Sequence, residues 1–210
     1  SQLDKMGKDK ASPAAPMVFL AQSDTGYRNI LKLLSYAYMQ SEYTHDPRIP
    51  QQVLLDNATD IIALTGGPGG PLGKLILDSQ IPAADSFLKT IRAIFDDRLY
   101  MEIMRHGTEE ERRTEAAFLN MAYSHDIPLV ATNEAFFPDR KMYEANDALI
   151  CIEEKTYVSQ SVRRRLTPEH YFKSAAEMRQ IFEDLPEAID NTIVVAKRCA
   201  FLVKTIDPIL

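Results

Sequence analysis

The chain has 210 residues, of which 45% are hydrophobic and 26% charged, the usual composition of a soluble globular protein with one core. Its net charge of −6 excludes an overall basic field that would draw the whole chain to nucleic acid or anionic lipid. No apolar run approaches the roughly 18 residues that a membrane span needs, and residues 1–10 lack the apolar centre of a signal peptide. We therefore expect a cytoplasmic protein.

Residues 1–16 are polar and rich in Lys, Ala and Pro, which predicts a flexible or truncated segment. Strand-helix units then follow one another. The expected strands cover residues 17–21, 61–65, 99–104 and 128–132, centred on Phe19, Ile62, Met101 and Val130. The first expected helix begins after the capping residues Ser23 and Asp24. The other expected helices cover residues 72–95, with an interruption near Pro82, residues 109–125 and residues 142–152. This alternation predicts an α/β fold whose four strands are parallel neighbours in one sheet, open or part of a barrel.

The alternation ends after residue 153. Ser174 and Glu177 form a capping-box pattern for a short helix, and Pro186 opens a last helix that should reach about residue 203. We expect this helix to pack across the sheet or against a neighbouring domain. The two cysteines, Cys151 and Cys199, have no CxxC spacing and lie in apolar helical patterns, which favours buried free thiols over a disulfide or a zinc site.

A polar cluster directly follows the strand at residues 128–132. It holds Thr132, Asn133 and Glu134, and chemistry in parallel α/β proteins sits at such strand ends. Two phenylalanines, Phe136 and Phe137, stand where an active site would need ligands. The sequence thus has the arrangement of an active site with few of its chemical groups.

Three other catalytic patterns are incomplete. The loop at residues 66–74 lies where a phosphate-binding loop would, but Pro68 replaces its first glycine and Leu75 its Ser or Thr, so a tight turn is favoured. Glu102 and His106 are spaced to share a divalent metal, but His45, His125 and His170 lack the spacing of further ligands. We therefore favour a histidine that caps Gly107 and a glutamate paired with an arginine. No serine or cysteine has a nucleophile pattern.

Three consecutive arginines, Arg163, Arg164 and Arg165, fall in a polar loop. Guanidinium groups grip phosphates, so these residues are possible DNA contacts. The acidic net charge favours a solvated face or an interdomain contact instead, with little effect on fold stability when they are removed.

Read together, the ordered segments of the chain resemble the PHP domain (polymerase and histidinol phosphatase) of bacterial DNA polymerase III alpha subunits. The matching segments are LAQSDTGYRNILKL at 20–33, IALTGG at 62–67, YMEI at 100–103 with HG at 106–107, IPLVATN at 127–133, YFKS at 171–174 with EM at 177–178, and LPEAIDNT at 185–192 running to AKRC at 196–199. The resemblance covers about residues 17–204, and this ordered series is more specific than any one motif in it.

The resemblance implies a distorted (β/α)7 barrel, of which this chain would be the second half or two-thirds. Residues 17–204 would be that part of the PHP domain, and residues 205–210 the start of the connection to the polymerase palm. The metal ligands of the family would fall on Pro16, Gly67, Glu134 and Phe136, where only Glu134 keeps an oxygen ligand. The expectation is therefore no cofactor and no catalytic residue in this chain, with Mg²⁺ in the palm beyond it.

The implied function is that of a metal-free scaffold in a DNA-directed DNA polymerase, inactive by itself. Implied partners are the palm and thumb of the same subunit, the proofreading exonuclease subunit, and primer-template DNA through the full-length protein. Two alternatives stay open. One is an active metal-dependent phosphoesterase or 3′-5′ exonuclease rebuilt on Glu102, His106 and Glu134, and the other is an α/β binding protein unrelated to replication.

Overall fold

The computed structural model describes residues 15–40 and 47–205. The strands in this part of the chain are β1 (Val18–Ala21), β2 (Ile61–Leu64), β3 (Leu99–Met104) and β4 (Leu129–Thr132). The α-helices are α1 (Asp24–Gln40), α2 (Gln51–Asp56), α3 (Pro71–Leu77), α4 (Ile81–Phe95), α5 (Glu109–Ser124), α6 (Tyr143–Glu153), α7 (Ala175–Ile181) and α8 (Pro186–Arg198). Most of residues 1–16, residues 206–210 and His45 lie outside the described residues, so the predictions for them remain predictions.

The strands form one sheet in the order β1-β2-β3-β4. β2 pairs with β3 and β3 with β4 in parallel, as the alternation of strands and helices predicted. The prediction was wrong for β1, which pairs with β2 in an antiparallel register from Val18 opposite Leu64 to Ala21 opposite Ile61. The sheet is therefore mixed, with three parallel strands, and agrees with part of an α/β PHP barrel.

The connection between β1 and β2 explains the antiparallel pairing. Two helices, α1 and α2, lie between these strands, whereas the sequence pattern predicted only one. A second helix lets the chain enter β2 at the end where β1 stops, and the amide of Gln22 donates to the carbonyl of Asp60 at 2.9 Å. Gly26 of α1 lies against that same carbonyl, and an added Cβ would come within 2.0 Å of the oxygen. Only glycine fits this approach.

Local signals set most helix boundaries. Ser174 caps α7 through the predicted capping box, in which its hydroxyl accepts from the amide of Glu177 and the Glu177 carboxylate accepts from the amide of Ser174. A second capping box, which the sequence reading missed, joins Thr108 and Glu111 at the start of α5. The last helix, α8, ends at Arg198, five residues before the predicted limit.

The core lies on both faces of the sheet. Leu99, Met101 and Ile103 of β3 point to the larger cluster, which α3, α4 and α5 cover with the help of Phe95 and Phe118. Alternate residues point to the opposite face, as the period of two in a strand requires. The apolar residues of this second face are Ile62, Leu64, Tyr100 and Val130, packed against Val195 of α8. The prediction that the last helix packs across the sheet is thus confirmed.

The glycine-rich loop after β2 forms a tight turn into α3. Gly66 and Gly67 have positive φ angles of 82° and 55°, and a short 3-10 turn follows at Gly67–Gly69. The amide of Gly70 donates within the turn to the carbonyls of Gly66 and Gly67. These bonds agree with the predicted tight turn between β2 and α3.

Two further predictions concern the two cysteine thiols and the presence of membrane-spanning helices. Cys151 and Cys199 are both free, with Cys151 buried and Cys199 partly buried. Across residues 15–40 and 47–205, no helix combines the length and apolar character needed to cross a membrane.

Candidate functional site

Polar groups gather where β2, β3 and β4 end, on the sheet face that carries Tyr100 and Val130. β3 supplies Glu102, the loop after it supplies His106, and the end of β4 supplies Thr132 and Glu134. Because parallel strands end at one edge of a sheet, groups far apart in sequence meet there. We refer to this group, with Gly66 and Gly67 after β2, as the strand-end cluster.

Glu102 lies at the centre of the strand-end cluster and is buried. One carboxylate oxygen accepts the hydroxyl of Thr132 at 2.7 Å, and the other accepts the amide of Gly66 at 3.0 Å. Burial raises the pKa of Glu102, the two hydrogen bonds oppose that rise, and the charge of Glu134 adds to it. Both oxygens of this carboxylate are thus engaged within the fold, by groups other than the predicted arginine.

His106 is held through both ring nitrogens. Its Nδ1 lies 2.7 Å from a carboxylate oxygen of Glu111, and its Nε2 accepts the backbone amide of Glu134 at 3.2 Å. An accepting Nε2 carries no proton, so the Nδ1 proton donates to Glu111. The other Glu111 oxygen accepts the amides of His106 and Thr108 at 2.8 and 3.0 Å. Burial raises the pKa of Glu111, but these hydrogen bonds outweigh it and lower the pKa below its usual value.

A distant segment, residues 167–173, covers the cluster. Tyr171 forms a parallel bridge with Phe137, and the ring of His170 stacks on that of His106 with the centroids 4.1 Å apart. Nδ1 of His170 accepts the amide of Thr167 at 3.1 Å. Burial lowers the pKa of His170, and the adjacent His106 lowers it further. This segment therefore covers the cluster with the ring of His170.

Lys173 is a buried amine beside the cluster. Its Nζ donates to the side-chain oxygen of Asn133 at 3.2 Å and to the carbonyl of Glu169, and it lies 4.5 Å from the ring centre of Tyr171. The Asn133 amide in turn donates to the carbonyl of Tyr171 at 2.8 Å. Burial lowers the pKa of Lys173. The amine ties the covering segment to the end of β4.

The positions that the resemblance predicts for the family's metal ligands border this cluster. A Cβ on Gly66 would come within 2.2 Å of the Pro16 carbonyl oxygen, so Pro16 lies directly beside this loop. A Cβ on Gly67 would come within 3.0 Å of the Met104 sulfur. Phe136 is largely exposed, with its ring 5.9 Å from that of His170. The structure thus brings the four predicted positions to one edge.

The donor groups at this edge do not fit a metal centre of the family's kind. Clustered anionic or imidazole ligands are needed for a di- or trinuclear site. Both oxygens of Glu102 and both ring nitrogens of His106 already hold protein partners, and Glu134 remains as an exposed carboxylate. In the described part of the chain, no group of three or more His, Cys, Asp or Glu residues is placed to hold an ion.

The three arginines have different environments. Arg163 forms a two-pronged ion pair with Asp147 of α6 at 2.5 and 2.6 Å, and its side chain is only 1% exposed. The expected solvent-facing role is therefore wrong for Arg163, because a carboxylate from α6 holds it inside the fold. Arg164 is about half exposed and 3.8 Å from Glu153 and Glu154. Arg165 donates to a backbone carbonyl at 3.2 Å, so the contact prediction stays open for Arg164 and Arg165.

Sequence reasoning missed several residues of the site. Glu111 had a readable signal, the capping-box spacing from Thr108. His170 was considered as a metal ligand and set aside for its spacing, and Lys173 had no signal, because both reach the cluster through a loop that pairs with Phe137 more than thirty positions earlier. His125, considered as a ligand, lies elsewhere and pairs with Asp85 at 2.7 Å.

The comparison with protein families defines the class of this fold and site. The PHP domain family model matches residues 3–106, which include β1 to β3 and the strand-end residues Gly66, Gly67, Glu102 and His106. The chain belongs to the PHP domain family.

Its curated relatives are alpha subunits of bacterial DNA polymerase III. The chain is 43% identical over 197 residues to "DNA polymerase III subunit alpha" of Caulobacter vibrioides, a match that covers 94% of this chain and 17% of that protein. The same subunit of Rickettsia bellii is 36% identical over 196 residues, with 93% and 17% covered, and that of Vibrio cholerae is 32% identical over 190 residues, with 90% and 16% covered. The chain therefore spans about a sixth of the length of these relatives and corresponds to their PHP region.

Proposed function

We propose that this chain is a metal-free PHP scaffold within a DNA polymerase III alpha subunit. In that subunit, template-directed DNA synthesis and its Mg²⁺ would belong to a palm domain outside this chain. The PHP portion would support the palm and thumb and serve as a docking surface for a partner such as the proofreading exonuclease subunit. Primer-template DNA would be bound by the full-length protein.

The engagement of the strand-end cluster is the observation that carries the scaffold role. A catalytic metal centre needs lone pairs that face an open site. Here Glu102 accepts from Gly66 and Thr132, while His106 bridges Glu111 and the amide of Glu134. These bonds link the ends of β2, β3 and β4, so Glu102 and His106, on which a rebuilt metal site would depend, act as internal cross-links.

Metal analysis of the purified full-length protein tests this proposal. After dialysis against metal-free buffer, we expect less than stoichiometric zinc and manganese, and the same content in Glu134→Ala. Stoichiometric metal that is lost in Glu134→Ala, together with 3′-5′ exonuclease activity that is lost in the same variant, would establish the alternative metal-dependent enzyme. His125→Ala is a matched control, because its imidazole lies outside the strand-end cluster.

A further inference from the structure

Helix α1 has two apolar faces instead of one. Its inner face buries Leu33 and Ala37 near β1 and β2. A second set of large side chains, Tyr27, Leu31, Leu34 and Tyr38, follows a spacing of four, three and four residues. At 100° per residue, these four positions fall within about 60° of one another on the helix surface. We call them the outer stripe.

The outer stripe is exposed. Leu31, Leu34 and Tyr38 have 44%, 48% and 69% of their surface accessible. A surface helix normally has one apolar stripe towards the core and polar residues opposite. Spacing of four and three residues is also the pattern by which one helix packs against another. The outer stripe therefore has the form of a helix-packing seam that nothing in residues 15–40 and 47–205 covers.

A cleft extends the seam at its N-terminal end. This cleft, of about 600 Å³, lies between α1 and the chain that follows α8. Tyr27 and Leu31 line one wall, Phe201 and Val203 line the other, and the rings of Tyr27 and Phe201 are 6.3 Å apart. An aromatic pair at the end of an apolar stripe provides a pocket for a large side chain of a bound helix.

The charges beside the seam are positive, although the chain carries a net charge of −6. Residues 27–40 contain Arg28 and Lys32 and no acidic residue, and Lys204 lies on the opposite wall of the cleft. Asp24 lines the same cleft and pairs with Arg28 at 2.6 Å, so one negative charge stands against the three positive charges of Arg28, Lys32 and Lys204. The complementary partner is thus an apolar helix face flanked by carboxylates.

We propose that the outer stripe and the cleft receive an amphipathic, acid-flanked helix from another part of the same polypeptide. This inference rests on the proposed function, because the matched relatives place about five-sixths of their length outside the region that this chain spans. A second copy fits less well. Two antiparallel α1 helices related by a two-fold axis would face each other with the same flank, which brings the flanks that carry Arg28 and Lys32 together without an acidic residue from 27–40 between them.

Photo-crosslinking of the full-length protein tests the occupant. A photoreactive phenylalanine analogue at Leu34 should give a crosslink within one polypeptide, to a helix with an apolar stripe and flanking carboxylates. The same analogue at Leu55, which is 50% exposed on α2, is the control and should not reach that helix. Crosslinks between two copies, to another protein, or to no protein at all would each overturn the proposal.

Paired substitutions give a second measurement. Leu31→Glu with Leu34→Glu should lower the Tm of the full-length protein more than Leu55→Glu with Ile81→Glu, a pair matched in exposure. In the 210-residue chain by itself, both pairs should leave Tm and circular dichroism close to those of the unsubstituted chain. An equal effect of the two pairs in the full-length protein would overturn the docking role. The mass of the native polypeptide separates the two proposals: a protein of about 210 residues would defeat the proposed polymerase subunit, whereas a long protein without the crosslink would defeat only the helix docking.

Discussion

Glu102 shows how a residue type that suits catalysis becomes structural through its neighbours. A carboxylate at a strand end can bind metal or transfer protons, but here Gly66 and Thr132 take both oxygens. The surrounding fold also buries the side chain, which raises its pKa. The folded protein therefore binds a proton at Glu102 more tightly than the unfolded chain does.

Substitution of Glu102 should separate hydrogen bonding from charge. Glu102→Ala leaves the buried donors of Gly66 and Thr132 without an acceptor, and we expect a loss of about 1–3 kcal/mol in the free energy of unfolding. Glu102→Gln keeps one acceptor oxygen and carries no charge. Because the pKa of Glu102 is raised in the folded protein, the free energy of unfolding falls as pH rises from the unfolded pKa of about 4.3 through the folded pKa. Glu102→Gln lacks this titration, so it should gain stability relative to the unsubstituted protein between pH 4 and pH 7.5. Urea unfolding at both pH values measures this, and a constant difference would contradict it.

Arg163 provides a second prediction at this scale. Removal of the Arg163 side chain leaves the carboxylate of Asp147 in α6 without its two-pronged partner. Loss of one member of a closely packed ion pair is destabilising. We expect Arg163→Ala to lower Tm clearly, and Arg165→Ala, whose side chain touches one carbonyl, to change it little. Thermal unfolding of the two variants side by side decides the matter. Equal Tm values would return Arg163 to the solvent-facing role that the sequence suggested.

At the scale of elements, the segment at residues 167–173 depends on the uncharged form of His170. Burial and the stacked His106 lower the pKa of His170, so the unfolded chain binds this proton more readily than the folded one. The resulting stabilisation is complete above the unfolded value of about 6.5 and is lost as pH falls through that value towards the folded pKa.

The test compares how steeply the free energy of unfolding depends on pH in two proteins. We expect the free energy of unfolding to fall between pH 7.5 and pH 5 more steeply in the unsubstituted protein than in His170→Phe, which keeps a ring against His106 but cannot bind a proton. His125→Phe serves as a control histidine outside the site. If the His170→Phe slope matches that of the unsubstituted protein, the uncharged imidazole is not what holds this segment.

The elements also show what the sequence was able to predict. Strands β2, β3 and β4 were found because they are short buried runs, of which 61–64 is apolar on both faces, and their parallel order followed from the intervening helices. The direction of β1 was missed because α2 has only six residues and a single buried one, Leu54, which gives almost no periodic signal. The cluster was half predictable: Thr132 and Glu102 lie in recognisable strand ends, whereas His170 and Lys173 arrive through long-range pairing that no local pattern encodes.

At the scale of the whole molecule, the strand-end cluster and the outer stripe on α1 differ in how far their groups already have partners. Hydrogen bonds among β2, β3 and β4 close the edge where related domains would need open ligands. The outer stripe and the adjacent cleft, by contrast, present the apolar surface on which we propose that a helix docks. Such a division fits the proposed supporting domain, because hydrogen bonds fill the strand ends while apolar side chains stay exposed on α1.

The two solvent-facing arginines test how the molecule meets its surroundings in the full-length protein. The negative net charge gives Arg164 and Arg165 little electrostatic support for binding DNA, and Arg164 already lies near Glu153 and Glu154. We therefore expect Arg164→Ala with Arg165→Ala to leave unchanged the slope of the logarithm of primer-template affinity against the logarithm of salt concentration. The same pair should lower the Tm of the full-length protein more than that of the 210-residue chain, because the predicted interdomain contact would form only in the former. Direct phosphate contacts would instead reduce the salt slope by about one to two, and that result, measured by titration at several salt concentrations, would place these arginines on DNA.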